Sequence, residues 1–189
     1  MISEFLSKGI AVGSANVEQT AEQQFLRFHL APDLSAALPV QQMTEVVTVS
    51  TAKVVPIPHM PAWVIGVYNW RGEILWLVDL GYLLGGTPLY QQTSTRSTYT
   101  TVVVHSSGQA ATRQQLGSQM AGRKMLGLAV NQVEDMEWFN SDLIQSPPES
   151  AVNPELVPFL RGYWLKPNGE IVVVLDGNSI IAGMPKSQA

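Results

Sequence analysis

The chain has 189 residues, of which 46% are hydrophobic and 14% are charged, and its net charge is −4. This length suits one sizeable domain or two small ones that share a core. An acidic chain lacks the basic stripe of a nucleic-acid-binding protein. The absence of cysteine excludes disulfides, thiolate metal sites and cysteine nucleophiles.

Residues 1–23 predict a mobile or marginally helical tail that precedes the folded domain. The tail contains Glu4 and one lysine but neither a long apolar run nor a cleavage site, so it is not a signal peptide. No stretch of the chain reaches the roughly 20 uninterrupted apolar residues that span a bilayer. The sequence therefore predicts a soluble protein, and the lack of cysteine fits a reducing cytoplasm.

Three extended segments are predicted at the start of the domain. Residues 25–30 alternate apolar and polar side chains, which is typical of a half-exposed strand. Residues 36–40 and 43–49 follow, and Glu45 falls on the apolar face of the third segment. Because an unpaired buried charge is unfavourable, Glu45 either lies at a strand edge or a bulge, or pairs with a basic group.

The most apolar part of the chain, residues 61–80, predicts a β-hairpin. Its arms are rich in β-branched and aromatic residues, and only the polar turn Arg71-Gly72-Glu73 separates them. Residues 53–61 carry three prolines and predict a stiff, extended connection into the hairpin. Since Arg71 lies at the tip, we expect it to pair with Glu45 and to lock the strand at 43–49 to the hairpin.

The rest of the chain predicts short helices, further strands and two polar loops. Asp79 precedes an apolar turn that ends in glycines, which predicts an N-capped helix at 80–84. The remaining predictions are a loop at 87–98, a strand at 99–105, a loop at 106–124, strands at 125–133 and 136–139, a short helix from Asn153-Pro154 to about Leu160, and a hairpin of 162–165 and 170–175 around Asn168-Gly169.

The last hairpin repeats the first at a constant offset of 97 residues. Gly72-Glu73-Ile74 corresponds to Gly169-Glu170-Ile171, and Asp79 corresponds to Asp176, without a gap. Any two hairpins that run into capped helices look somewhat alike, but an ungapped register favours a duplicated architecture. We therefore expect two similar small β-barrels, whose strands can be interleaved along the chain.

The histidines and glycines indicate no metal or nucleotide site. His29, His59 and His105 lie at spacings that match no metal motif. Neither a Walker sequence nor a Gly-x-Gly-x-x-Gly motif occurs. No cofactor is therefore expected.

Asp79 and Asp176 are the one pair of residues that could carry catalysis. Two carboxylates that share a proton would make the chain an aspartyl hydrolase. That motif needs Ser or Thr directly after each aspartate, whereas Leu80 and Gly177 follow here. Capping of the following helices explains both aspartates, so we expect no enzyme.

The chain resembles the CheW-like family of chemotaxis coupling proteins and kinase regulatory domains. The resemblance rests on the strand at 25–30, the segment 40–46 with Glu45, and the hairpin at 58–80 with its Gly66-Val-Tyr-Asn-Trp-Arg-Gly72 sequence. The closing segment from Phe159-Leu-Arg-Gly162 to Asp176 is also similar. The resemblance covers residues 24–184, and the Asn-x-Arg-Gly hairpin is its most specific motif.

The resemblance implies an all-β fold of two small SH3-like five-stranded β-barrels around a shared core, with short helices and tails at 1–23 and 185–189. It implies a non-catalytic adaptor in chemotaxis, phototaxis or twitching motility. The implied partners are the cytoplasmic tips of methyl-accepting chemoreceptors and a CheA-type histidine kinase regulatory domain. Such an adaptor is expected in the cytoplasm, at receptor arrays on the inner membrane, without nucleic acid and without membrane insertion.

The resemblance also implies where the receptor binds. In the family, the glutamate and the hairpin arginine lie near a receptor-facing groove between the barrels. The matching residues in this chain are Glu45 and Arg71. Val64, Gly66 and Asn69 are further candidates for this groove.

Overall fold

Strands dominate the part of the chain that the structure describes. The computed structural model describes residues 22–31, 34–92, 96–106, 124–146 and 154–184. None of the helices in these ranges is long and apolar enough to cross a membrane. The elements are β1 (Glu22–Ala31), β2 (Leu34–Pro39), β3 (Met43–Ser50), β4 (Val64–Trp70), β5 (Glu73–Asp79), α1 (Leu80–Leu83), α2 (Leu89–Gln92), β6 (Thr98–His105), β7 (Met125–Val130), β8 (Gln132–Asn140), β9 (Leu160–Leu165), β10 (Ile171–Leu175) and α3 (Gly177–Ala182).

The strands form two five-stranded sheets. The first sheet has the order β3-β6-β7-β5-β4, and the second has the order β8-β1-β2-β10-β9. Each sheet contains one parallel pair, β5 with β7 and β2 with β10. The second sheet joins the first two strands of the chain to the last three, so the two sheets are interleaved along the sequence.

The two sheets share the same local features. An isolated backbone bridge joins Val55 to Val67 in the first sheet, and another joins Gln145 to Tyr163 in the second. A glycine with positive φ lies beside each bridge, Gly66 at 148° and another in β9 at 156°. The duplication suggested by the hairpins therefore extends to the edges of both sheets.

Alternation in β1 places its side chains in two different cores. Leu26 and Phe28 are buried in a core that lies between the two sheets. Phe25 points the other way and stacks on Phe139, which stacks in turn on Trp164, with ring centroids 3.9 and 4.1 Å apart. This second core lies within the curl of the second sheet, so β1 is more buried than a half-exposed strand.

The first sheet has a matching core within its own curl. It consists of Val49, Trp70, Leu75, Leu77 and Val103, which come from β3, β4, β5 and β6. Strands β3 and β4 are opposite edges of the sheet, so this core can form only because the sheet curls until its edges approach. The candidates Glu45, Asn69 and Arg71 lie at this junction.

Most predicted elements are present, but several boundaries are not as predicted. Strand β1 begins at Glu22, inside the predicted tail, because its first residues pair with the end of β8. The predicted strands at 125–133 and 136–139 are β7 and β8, which are divided at Asn131 rather than after residue 133. The predicted loop at 87–98 contains the short helix α2.

The helix predicted from Asn153-Pro154 is wrong within the described residues. Residues 154–156 form a turn, Val157–Phe159 is a single 3-10 turn, and Leu160 already belongs to β9. Pairing of Leu160 with Leu175 in β10 takes the chain into the sheet before a helix can form. Asn153, the tail up to residue 21, most of the loop at 106–124 and the tail at 185–189 lie outside the described residues.

Candidate functional site

A two-residue turn presents Arg71 at the tip of the first hairpin. Arg71 and Gly72 both have positive φ, 54° and 86°, and Trp70 pairs with Glu73 across them. This is the turn geometry that matches the twist of a hairpin. The Gly72 backbone N–H donates to Asn69 Oδ1 at 3.0 Å, which closes the turn from the β4 side. The turn leaves the Arg71 side chain 62% exposed.

The structure brings Glu45 and Arg71 together, although they lie on opposite edges of the first sheet. Arg71 Nη2 donates to Glu45 Oε2 at 2.7 Å. A bulge between Met43 and Glu45 interrupts the pairing of β3 with β6, and the Glu45 side chain is 27% exposed. The sequence offered a bulge and a basic partner as alternative explanations for Glu45. The structure shows both, because Glu45 lies at a bulge and also pairs with Arg71.

Trp70 is a second partner of Glu45 that the sequence reasoning missed. Its indole Nε1–H donates to Glu45 Oε1 at 2.6 Å. Trp70 is only 5% exposed, and the Arg71 guanidinium carbon lies 4.9 Å from its ring centroid, a cation–π contact. A buried indole N–H needs an acceptor, and Glu45 was the acceptor without a partner, so the signal was present in the sequence. The carboxylate thus holds both the arginine and the indole.

Val64 and Gly66 do not join this cluster. Gly66 is buried, and a Cβ added there would lie 2.4 Å from the carbonyl oxygen of Val55. The close approach of the Val55–Val67 bridge accounts for this glycine. Val64 lies at the other end of β4, about 20 Å from the tip by strand rise. There it lines a cleft of about 250 Å³ together with Asp79 and other residues.

Asp79 is the N-cap of α1 and also holds α2. Its Oδ1 accepts the Tyr82 N–H at 3.0 Å, and its Oδ2 accepts the Leu89 N–H at 2.7 Å. Burial raises the pKa of Asp79, and the two N–H bonds and the charge of Arg96 oppose this shift only in part. Both oxygens are therefore committed to backbone.

Asp176 is the corresponding cap of α3 in the second sheet. Its Oδ1 accepts from Gln42 Nε2 at 2.7 Å, and its Oδ2 accepts from Ser179 Oγ at 2.8 Å. Burial acts to raise the pKa of Asp176, but hydrogen bonds from Ser179, Gln42 and Asn178 together outweigh it and hold the pKa below its ordinary value. Within the described residues, each aspartate is bonded at its own helix cap and the two share no hydrogen bond.

The second sheet carries an ionic cluster at the position that corresponds to Trp70 and Glu45 in the first sheet. Lys166, which follows β9, donates to Glu137 of β8 at 2.8 Å and so links the two edge strands. Arg27 of β1 contacts Glu137 at 3.3 Å, Glu134 at 2.9 Å and Glu170 at 2.5 Å. Burial acts to raise the pKa of Glu170. The charge of Arg27, together with weaker contributions from neighbouring groups, outweighs burial and lowers the pKa.

The sequence reasoning missed this cluster, because its members come from three separate segments, namely β1, β8 and the turn between β9 and β10. Lys166 and Arg27 side chains are each only 14% exposed. Lys166 of the second hairpin and Arg27 of β1 are thus buried among carboxylates, whereas the first hairpin leaves Arg71 at the surface. The described residues contain no group of three or more His, Asp or Glu side chains that could hold a metal ion.

Comparison with known proteins assigns the chain to a family. A sequence model of the CheW-like domain matches residues 24–183. The chain belongs to the CheW-like family. A curated relative, the probable chemotaxis protein CheW of Rhizobium etli, is 29% identical over 106 residues, which are 56% of this chain and 56% of the relative. The chain therefore spans about half the length of the curated relative that it matches.

A solved structure shares the CheW-like fold. The crystal structure of the scaffolding protein TtCheW from Thermoanaerobacter tengcongensis matches with a TM-score of 0.60 and 20% identity, over 81% of this chain and 88% of that chain. This likeness shows the fold alone. It confirms the expected all-β architecture, which here consists of two five-stranded sheets with a few short helices.

Proposed function

We propose that this CheW-like chain is a non-catalytic adaptor that couples chemoreceptors to a chemotaxis-type histidine kinase. The observation that carries the proposal is the family match over residues 24–183, nearly the whole of the described domain. The adaptor would act in the cytoplasm at receptor arrays on the inner membrane. It would serve chemotaxis, phototaxis or twitching motility, according to the receptors that its host carries.

We infer that the hairpin tip contacts the cytoplasmic tip of a methyl-accepting chemoreceptor. Glu45 holds Arg71 from one side and the Trp70 ring holds it from the other, so the guanidinium is fixed while most of it stays in solvent. A positioned guanidinium retains donors for a carboxylate or a carbonyl of a partner. Asn69 fixes the turn that carries it. This arrangement supports a preorganised polar contact, which costs less ordering on binding than a free side chain.

The second partner would be the regulatory domain of a CheA-type kinase. Such regulatory domains are among the CheW-like domains that this chain resembles. Two interleaved sheets of similar design give the molecule two unlike ends. The first exposes Arg71, and the second carries the internally compensated cluster around Arg27. Unlike ends suit an adaptor that must hold two different proteins at once.

The proposal is tested by measuring binding of Arg71→Glu to a purified receptor tip and to the kinase regulatory domain. Charge reversal places two carboxylates together at the tip, so affinity for the receptor tip should fall by about tenfold or more. Arg161→Glu is the matched control, because Arg161 is an exposed arginine of β9 that donates to Gln23 and lies 5.9 Å from the Phe25 ring, away from the hairpin tip.

Arg161→Glu should bind the receptor tip within about twofold of the wild type. Melting curves of both variants separate loss of contact from loss of fold. If Arg71→Glu has the receptor affinity and the melting temperature of the wild type, the hairpin tip is not the receptor-binding surface. If the wild-type chain binds no receptor tip and no kinase domain of its host, the adaptor proposal itself is refuted.

A further inference from the structure

A polar cleft of about 640 Å³ lies between the start of β8 and the segment that links α1 to β6. This volume is within the range of small-molecule sites. Apart from Ala31, the described residues that line the cleft have polar side chains, and none of these described residues carries a carboxylate. The polar lining residues are His29, Thr87, Gln92, Arg96, Asn131 and Gln132.

The duplicated architecture shows why a cleft is present here. Gln42 precedes edge strand β3, and Gln132 begins edge strand β8, 90 residues further on. The same offset relates Val55 and Gln145 of the two backbone bridges. Gln42 donates to the Asp176 cap at 2.7 Å and accepts the Gly177 N–H at 2.7 Å, so it packs against the start of α3.

Gln132 makes no such contact, because the corresponding cap is already occupied. Asp79 accepts the Leu89 N–H of α2 and the Tyr82 N–H of α1. The Gln132 side chain is exposed and makes no hydrogen bond within the described residues. Gln132 thus lines the cleft beside the segment that carries α2, whereas Gln42 is bonded to the start of α3.

Arg96 supplies positive charge to this space. Its guanidinium makes no ion pair or hydrogen bond in the described ranges, and its Nε is buried without a partner. Asp79 is close enough to act on it electrostatically, but both oxygens of Asp79 are committed to backbone N–H groups. Glu134, the carboxylate nearest to His29, is engaged with His29 Nε2 and with Arg27.

Asn131 adds a free acceptor. Its Nδ2 donates to the Leu30 carbonyl at 3.1 Å, while its Oδ1 is buried without a partner among the described residues. A buried polar atom without a partner is uncommon in a folded protein and points to a missing ligand or water. Within the described residues, one cleft is thus lined by an unpaired cation and an unpaired acceptor.

We propose that this cleft is a binding site for a small hydroxylated organic anion that carries a phosphate or carboxylate group. The Arg96 guanidinium would take the anionic group, since its planar fork matches the oxygens of either one. Asn131 Oδ1 would accept from a ligand hydroxyl, and Gln132 would donate to one of its oxygens. None of its residues belongs to the hairpin tip, so the inference does not rest on the proposed receptor contact.

The test is calorimetric titration of the full chain with citrate and with glycerol 2-phosphate at constant ionic strength, with chloride as the reference. Saturable binding of either probe is expected, and the preferred probe tells a carboxylate from a phosphate site. Arg96→Gln should weaken that binding by about tenfold or more. The control Arg161→Gln removes the same charge from the second sheet and should leave the affinity within about twofold.

Gln132→Glu keeps the test valid if Arg96→Gln fails to fold. Glutamate has nearly the same shape as glutamine, and Gln132 is exposed and makes no side-chain hydrogen bond in the described residues, so we expect the fold to be unchanged. A carboxylate at this position repels the ligand and should also lower the affinity by several-fold. The proposal is overturned if neither probe binds the wild type saturably, or if Gln132→Glu and every folded Arg96 variant bind as the wild type does.

Discussion

Removing Glu45 should destabilise the protein more than removing its ion-pair partner Arg71. Among the described residues, Glu45 is the one acceptor of the Trp70 indole N–H, at 2.6 Å, and Trp70 is 5% exposed. Glu45→Ala leaves this donor buried and unpaired, which costs about 1–3 kcal/mol. Arg71 is 62% exposed, so the loss of its pairing in Arg71→Ala should cost less than about 1 kcal/mol.

Glu45→Gln separates the two contributions. A glutamine carbonyl still accepts the Trp70 N–H but carries no charge for Arg71, so this variant should lose about 1 kcal/mol or less. The free energies of unfolding are measured by urea titration at low and high salt, where salt should affect only the Arg71 contribution. If Arg71→Ala is as destabilising as Glu45→Ala, the exposed ion pair rather than the buried indole bond joins the sheet edges, and the reasoning is refuted.

Two further predictions concern the glycine at the bridge and the paired caps. Gly66→Ala should destabilise by about 3 kcal/mol, because its Cβ would lie 2.4 Å from the Val55 carbonyl oxygen. Gly72→Ala, which meets open space, should cost about 1 kcal/mol in the same urea titration, and equal losses would contradict the clash. The ordinary pKa of an aspartate is 3.8. Because folding raises the pKa of Asp79, the contribution of Asp79 to stability falls as the pH rises above 3.8. Because folding lowers the pKa of Asp176, the contribution of Asp176 is lost as the pH falls below 3.8. Asp79→Asn and Asp176→Asn should therefore change the slope of stability against pH with opposite signs, and slopes of the same sign would contradict the assignment.

Local sequence signals predicted the hairpins and the caps because each depends on a few neighbouring residues. The turn at Arg71-Gly72 and the caps at Asp79 and Asp176 are of this kind. The offset between the two hairpins also predicted a duplicated architecture. The contact of Glu45 with Arg71 followed from a simple principle, that a carboxylate on an apolar face needs a partner.

The features that the sequence did not predict depend on contacts between distant segments. The helix predicted at Asn153-Pro154 is replaced by a 3-10 turn, because Leu160 pairs with β10. Helix α2 forms where its Leu89 N–H meets Asp79, in a segment whose composition indicates a loop. The cluster around Arg27 needs β1, β8 and the second hairpin to be neighbours, which only the folded topology provides.

The most direct test of the adaptor role is co-sedimentation of the host's kinase with vesicles that carry its chemoreceptors. Kinase should appear in the pellet in proportion to the added chain, and Arg71→Glu should not recruit it, while Arg161→Glu should. Recruitment of equal amounts of kinase with and without the chain would contradict the account.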